Sequence, residues 1–191
     1  MTRQKQSLWQ KILAICVASG SALTGGCIMG GSVTPYLGYN VPIGDQRAVS
    51  YEFGNAVVLG VKGSIKTKKS IEVEVGYSSH NVNFKDAFQS NELKASDFSI
   101  GGVYPFANTR NTTPYISGKV IARSEEEAVY DSGGNFLGSG TRSSTGFGVG
   151  VGARFQARKG SVDTRVMVEG FGEGSYEESG LNASVGYTFS W

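Results

Sequence analysis

One histidine stands in the chain, His80, inside Ser78-Ser79-His80-Asn81. A histidine held by a carboxylate beside a serine is the set that cleaves esters. The imidazole takes the serine proton, and the acid orients the ring. Asp86 and Asp97 are the acids that follow it in sequence. The simpler reading of His80 is a polar rim histidine, hydrogen-bonded inside a packed interior. With one histidine and two cysteines, Cys16 and Cys27, the chain lacks the ligands for a zinc site and the pairs for a disulfide framework. Gly146-Phe147-Gly148-Val149-Gly150 has glycine at alternate positions but continues as alternating strand, not helix, so it is no phosphate cradle. Glu125-Glu126-Glu127 reads as a solvated loop run that holds cations loosely at most, and Asn111-Thr112-Thr113 reads as a turn. No cofactor and no metal are expected.

Composition narrows the classes further. The chain has 191 residues, enough for one domain with a core. Charged residues make up 18% and the formal net charge is +2, too even a balance for a nucleic-acid face. Glycine numbers 28, about twice its usual share of roughly 7%, without a collagen period. Aromatics at 11% argue against disorder.

Residues 1–26 read as a secretory leader. Arg3, Lys5 and Lys11 form a basic start, Ile12–Ala18 is apolar, and Ser19–Gly26 is small and mildly polar. The apolar run is far short of the ~20 residues that a spanning helix needs. Cleavage could follow Ala22. Alternatively, Leu23-Thr24-Gly25-Gly26-Cys27 resembles a bacterial lipobox with Cys27 as the lipid-bearing residue, although its leucine stands four places before the cysteine instead of three. Without the leader, fifteen basic residues face sixteen acids and at most Cys27 remains, so no internal disulfide can form. Residues 27–32 would be a short lead-in to a domain over 33–191.

That domain alternates with period two, the signature of strands whose side chains point to opposite faces. In the last segment Leu181, Ala183, Val185, Tyr187, Phe189 and Trp191 alternate with Asn182, Ser184, Gly186, Thr188 and Ser190. Seven earlier stretches behave alike: 33–41, 56–65, 70–82, 97–106, 114–123, 145–157 and 162–170. In 145–157, Phe147, Val149, Val151, Ala153 and Phe155 face Gly146, Gly148, Gly150, Gly152 and Arg154. Eight strands and no helix are predicted. The links at 42–55, 83–96, 124–144 and 171–179 are long, and the first and last of the links at 66–69, 107–113 and 158–161 are short. The shorter group is basic, through Lys66, Lys68, Lys69, Arg110, Arg158 and Lys159, and several long links are acidic. Short turns at one end and long loops at the other are the layout of an outer-membrane barrel.

Periodicity leaves open which face points inward. A soluble lipid-anchored carrier barrel would enclose its apolar face. A membrane barrel inverts this, with a polar filled lumen. Inversion is favoured by the glycine row, by aromatics near strand ends (Tyr39, Tyr77, Tyr104, Phe106, Tyr187, Phe189, Trp191), and by charge on the polar face. Lys62, Lys119, Arg123, Arg154 and Arg165 nearly balance Glu72, Glu74, Asp97 and Glu169, and pairing them would offset their burial.

The C-terminal run Val185, Tyr187, Phe189, Trp191 ends on an aromatic and resembles the signal that outer-membrane barrels present to their insertion machinery. With the leader and eight strands, the chain over roughly 33–191 resembles the small OmpX/OmpA-type barrels of Gram-negative outer membranes. The resemblance implies an all-β, eight-stranded antiparallel up-and-down transmembrane barrel in the bacterial outer membrane. Its termini would lie in the periplasm and its long loops outside. Its partners would be outer-membrane lipids, the barrel-insertion machinery and an unidentified extracellular partner. A structural or adhesive role is expected, and no catalytic residue carries over. A lipid on Cys27 would depart from that family. Some eight-stranded barrels modify lipid A, which keeps an enzyme using His80 as the alternative. The deacylases of that kind place a serine two residues after the histidine, and here that position is Val82.

Overall fold

The computed structural model describes residues 30–43, 52–53, 56–67, 71–85, 89–106, 109, 111–131, 133–172 and 179–191. The leader, Cys27 and Asp86 lie outside these residues. Among the described residues nine strands follow in order: β1 (Gly31–Pro42), β2 (Glu52–Phe53), β3 (Ala56–Lys66), β4 (Glu72–Lys85), β5 (Gln89–Pro105), β6 (Thr112–Asp131), β7 (Phe136–Ala157), β8 (Gly160–Phe171) and β9 (Ser179–Ser190). Eight of them form the wall, each antiparallel to its neighbours, and β1 pairs with β9 to close it. The closing seam ends in reciprocal bonds, from Gly31 N–H to the Trp191 carbonyl at 3.2 Å and from Trp191 N–H to the Gly31 carbonyl at 3.1 Å. Closure removes the free edges that an open sheet would expose. The two-residue β2 lies outside the wall and pairs with the far end of β4 at Glu52↔Lys85 and Phe53↔Phe84.

The apolar ladders face outward. Leu37, Leu59, Ile100, Val120, Val149, Val168 and Val185 are all exposed, and Phe147 keeps 65% of its surface. Phe98 and Phe106 on one stave, and Phe147 and Phe155 on another, bracket this belt from eight residues apart. Eight residues span about 26 Å of strand. At a tilt of 35–45° this becomes roughly 20 Å along the axis, close to the ≈25 Å apolar band of a membrane barrel. The inward-apolar carrier arrangement is therefore the reverse of what the wall presents.

Two expected loops turn out to be strand. The links at 83–96 and 124–144 shrink to residues 86–88 and 132–135, because β4, β5, β6 and β7 run on as a four-stranded sheet. Its rungs reach Lys85↔Ser90, Gln89↔Asp131 and Tyr130↔Phe136. On its flanks the wall has already stopped, at Val58↔His80 and Gly146↔Phe171. The physical reason is that sheet rising clear of a bilayer has water beside it. The backbone ladder continues there, but the apolar–polar alternation that marks a strand in sequence fades. At the other end β1 begins at Gly31, two residues ahead of the expected start.

Candidate functional site

Two regions carry the polar chemistry: the lumen and the sheet that rises above it. Inside, the alternation of β3, β4, β7 and β8 sends charged side chains to a common centre. Arg165 grips Glu74 with two bonds, Nη1 to Oε1 at 2.6 Å and Nη2 to Oε2 at 2.8 Å. Lys62 lies 3.7 Å from Glu74 and 3.2 Å from Asp163. Arg154 bridges Glu72 at 2.7 Å and Asp163 at 3.1 Å. The Tyr115 hydroxyl donates to Asp163 at 2.7 Å and accepts from Arg165 Nε at 3.1 Å. The Arg154 and Arg165 guanidiniums each lie 5.2 Å from the centroid of the Tyr115 ring. Three cations thus meet three anions across the barrel. Each charge has a partner, the condition under which burial is tolerable.

A second group sits nearer the tall sheet. Lys119 meets Glu169 at 2.7 Å. Arg123 holds Asp97 through Nε at 2.7 Å and Nη2 at 2.9 Å, lies 3.9 Å from Glu125, and stacks 3.7 Å over the Phe171 ring. Between the two groups, Tyr36, Lys62, Glu74, Lys119, Arg165 and Met167 line a space of about 20 Å³. That is room for one water, too little for an aqueous path. Glycine in β7 makes this filling geometrically feasible. A Cβ on Gly152 would strike the Tyr115 ring and the Thr164 carbonyl, and one on Gly150 would strike Met167 and the Val166 carbonyl.

Lys62, Glu72, Glu74, Asp97, Lys119, Arg123, Arg154, Arg165 and Glu169 are all drawn into these two groups. Three members escaped the sequence reading. Asp163 is 2% exposed and accepts from three side chains, and its place two residues before Arg165 on one strand face was the available signal. Tyr115 carried the same signal on the face of Lys119 and Arg123. Glu125 corrects an expectation: it is not part of a solvated loop run but 1% exposed, because β6 continues past Arg123 and keeps its alternation. Glu126, one step on, is exposed.

His80 is 4% exposed and points into the barrel with Ser78, away from the lipid-facing side. Asp97, the register partner of Ser78, is already engaged by Arg123. The described residues therefore bring no Ser–His–acid set to a lipid-facing rim. Of the terminal run, Val185, Phe189 and Trp191 are exposed on the wall exterior, and Tyr187 packs edge-on against Phe189 with centroids 4.9 Å apart.

The upper site is the sheet of β4–β7. The last rung between β7 and β8 is Gly146↔Phe171, and beyond it Gly172 N–H still reaches the Thr145 carbonyl at 3.0 Å. From Phe136 to Ser144, β7 has β6 on one side and, among the described residues, no strand on the other. This stretch, Phe-Leu-Gly-Ser-Gly-Thr-Arg-Ser-Ser, is largely exposed. Its turn is tied by Asp131, whose carboxylate accepts from Gly133 N–H at 2.9 Å, Asn135 N–H at 2.8 Å and Asn135 Nδ2 at 2.9 Å. These bonds, led by that from the Asn135 side chain, hold the Asp131 carboxyl below its ordinary range. Gly134 takes a φ of 80°, open to glycine at no steric cost. Tyr130 packs edge-on against Phe136 at 5.8 Å, close to a register shift at Val129/Tyr130.

This closed, polar-filled, apolar-walled barrel is that of the small eight-stranded outer-membrane proteins. Solved structures of that class superpose along most of its length. Neisserial surface protein A matches with a TM-score of 0.61 at 10% identity, covering 84% of this chain and 95% of that one. A major outer membrane protein from Thermus thermophilus gives 0.55 at 14%, covering 84% and 99%. Ail, the attachment invasion locus protein of Yersinia pestis, gives 0.52 at 13%, covering 85% and 97%. At such identities the likeness is one of fold. No protein-family model matches the sequence. No curated protein matches it either.

Proposed function

We propose that this chain is a non-catalytic protein of the bacterial outer membrane whose sheet of β4–β7 is a recognition surface, held outside the cell on a rigid barrel. One observation carries the reading. Four neighbouring strands continue past the wall as ordered sheet, and along residues 136–144 β7 is its last strand among the described residues. The outer side of a sheet's last strand is where an added strand pairs, the mode by which extended peptides join sheets. Recognition by outlying segments on a rigid scaffold is the usual division of labour.

The names of two similar structures, a surface protein and an attachment protein, agree with this role. Ail has also been solved in complex with the heparin analogue sucrose octasulfate. The chemistry of the present sheet differs from what a sulfated glycan needs. Its charges are mainly Glu92, Glu125, Glu126, Glu127 and Asp131, against Lys85, Lys94 and Arg142. A protein partner with an extended neutral or basic segment suits it better. Within this reading the C-terminal Val185, Tyr187, Phe189 and Trp191 serve assembly, and Cys27 is a site for a lipid or lies beside a cleavage point.

The test is a shortened ribbon. Glu126 and Thr141 are register partners, so residues 127–140 can be replaced by Asn-Gly to close a tight hairpin there. Cells displaying this variant should keep a barrel whose gel mobility shifts on heating in SDS, yet lose attachment to host cells that the native chain supports. Unchanged attachment with a folded shortened barrel would overturn the reading.

A further inference from the structure

We propose that the short-turn rim of the barrel is a docking surface for anionic glycerophospholipid headgroups. The proposal rests on the reading above that the tall sheet faces outward, which places this rim at the inner leaflet.

The argument starts from the distribution of charge between the two ends. Three links close the barrel at this end, between β3 and β4, β5 and β6, and β7 and β8. In sequence they carry Lys68, Lys69, Arg110, Arg158 and Lys159 and no acid, and Lys66 ends β3 beside them. Lys66, Arg158 and Lys159 are exposed. The opposite end is dominated by acids, from Glu92 and the glutamates of β6 to Glu173, Glu177 and Glu178 in the link after β8. A chain of near-even charge is thus polarised along its axis.

The height of the basic residues matters as much as their sign. Directly above them the wall carries outward aromatics: Tyr104, Phe106, Phe155, Phe189 and Trp191, the last 75% exposed. Aromatic side chains settle at the level of headgroups. Arg158 and Lys159, in the turn beyond them, reach the phosphates, and Lys66 stands at the lumen mouth on the strand face of Lys62 and Ser64. Arg154, which lines that mouth with Lys66, is already committed to Glu72 and Asp163. The exposed basic residues of the rim lie instead where a membrane surface supplies the counter-charge. An anionic leaflet attracts such residues over about a Debye length.

The experiment folds the native barrel into phosphatidylcholine vesicles containing a minor share of phosphatidylglycerol. The barrel is then extracted, and the retained lipids are identified by native mass spectrometry. Phosphatidylglycerol should be enriched over its share in the vesicle. The enrichment should fall about fivefold for each of Lys66→Gln, Arg158→Gln and Lys159→Gln, and should weaken as salt is raised. Lys66→Arg and Lys159→Arg should retain it, and Glu126→Gln at the opposite end should leave it unchanged. The heat-dependent gel shift verifies that each variant is folded. Retention at the vesicle ratio by the native chain, or equal enrichment in the variant carrying all three glutamine substitutions, would overturn the proposal. A parallel arm with lipopolysaccharide separates the two sources of phosphate. If lipopolysaccharide were retained through Lys66, Arg158 and Lys159, the rim would face the outer leaflet. Orientation and proposal would then both fail, whereas unchanged attachment by the shortened-ribbon variant alone leaves this result untouched.

Discussion

β7 and β8 are partners in one wall, yet β7 runs 22 residues and β8 runs 12. The same contrast divides the whole barrel. β1, β3, β8 and β9 span 11 to 12 residues, close to the 9–11 that a tilted strand needs to cross a bilayer. β4, β5, β6 and β7 span 14 to 22. The short half is the minimum that the membrane demands. The tall half is that minimum plus a sheet, and the two parts of each tall stave obey different physics. Within the bilayer, the inward charges Lys62, Glu72, Glu74, Lys119, Arg154, Asp163, Arg165 and Glu169 are each paired across the lumen. Above it, the ladder of backbone bonds is the main constraint, and side chains are less bound by packing.

β7 contains both regimes, so substitutions along it and across from it sharpen the contrast. The largest effect should come from Asp163→Ala. It strips one acceptor from Lys62, Arg154 and Tyr115 and leaves three buried cations facing two anions. Breaking a buried pair in this way costs about 3–5 kcal/mol. Denaturant unfolding in detergent should show that loss, or the barrel should fail to give a heat-shifted band. The exposed Glu126→Ala, in the upper sheet, should change stability by no more than about 0.5 kcal/mol. A result in which the two were equal would dissolve the distinction between the regimes.

Next comes Gly152→Val. Its side chain must displace the Tyr115 ring and meets the Thr164 carbonyl, an overpacking strain of roughly 1–3 kcal/mol. Gly138 and Gly140, on the same strand above the wall, have nothing within 4 Å of an added Cβ. Gly138→Ala should therefore be neutral or slightly stabilising, by up to about 1 kcal/mol. Parallel unfolding curves of these two single variants decide the matter within one strand.

The smallest effect is local and depends on pH. Because folding depresses the Asp131 carboxyl below its ordinary 3.8, its contribution to the turn is complete above that value. It is lost as the pH falls through the lower, folded value. Amide exchange at Gly133 and Asn135 should accelerate in that acid range while the heat-dependent gel shift persists. Protection that stays constant as Asp131 titrates would show that the carboxylate does not hold the turn.

The sequence by itself determined the architecture within the bilayer. A bilayer on one side and a crowded lumen on the other impose strict alternation, so Phe147, Val149 and Val151 announced the outer face and Arg154, Arg165 and Glu169 the inner. Even the glycine row of β7 was readable as space for large neighbours. What only the tertiary structure decided has two parts. One is which charges meet. Arg165 and Glu74 lie 91 positions apart, and Asp163 and Tyr115 lie 48 apart. Those encounters depend on barrel closure and stagger, which no local pattern encodes. The other is the height of β4–β7. Past the membrane both faces lose their contrasting surroundings, the period-two signal fades, and residues that look like loop become strand because a neighbouring strand is there to pair with them.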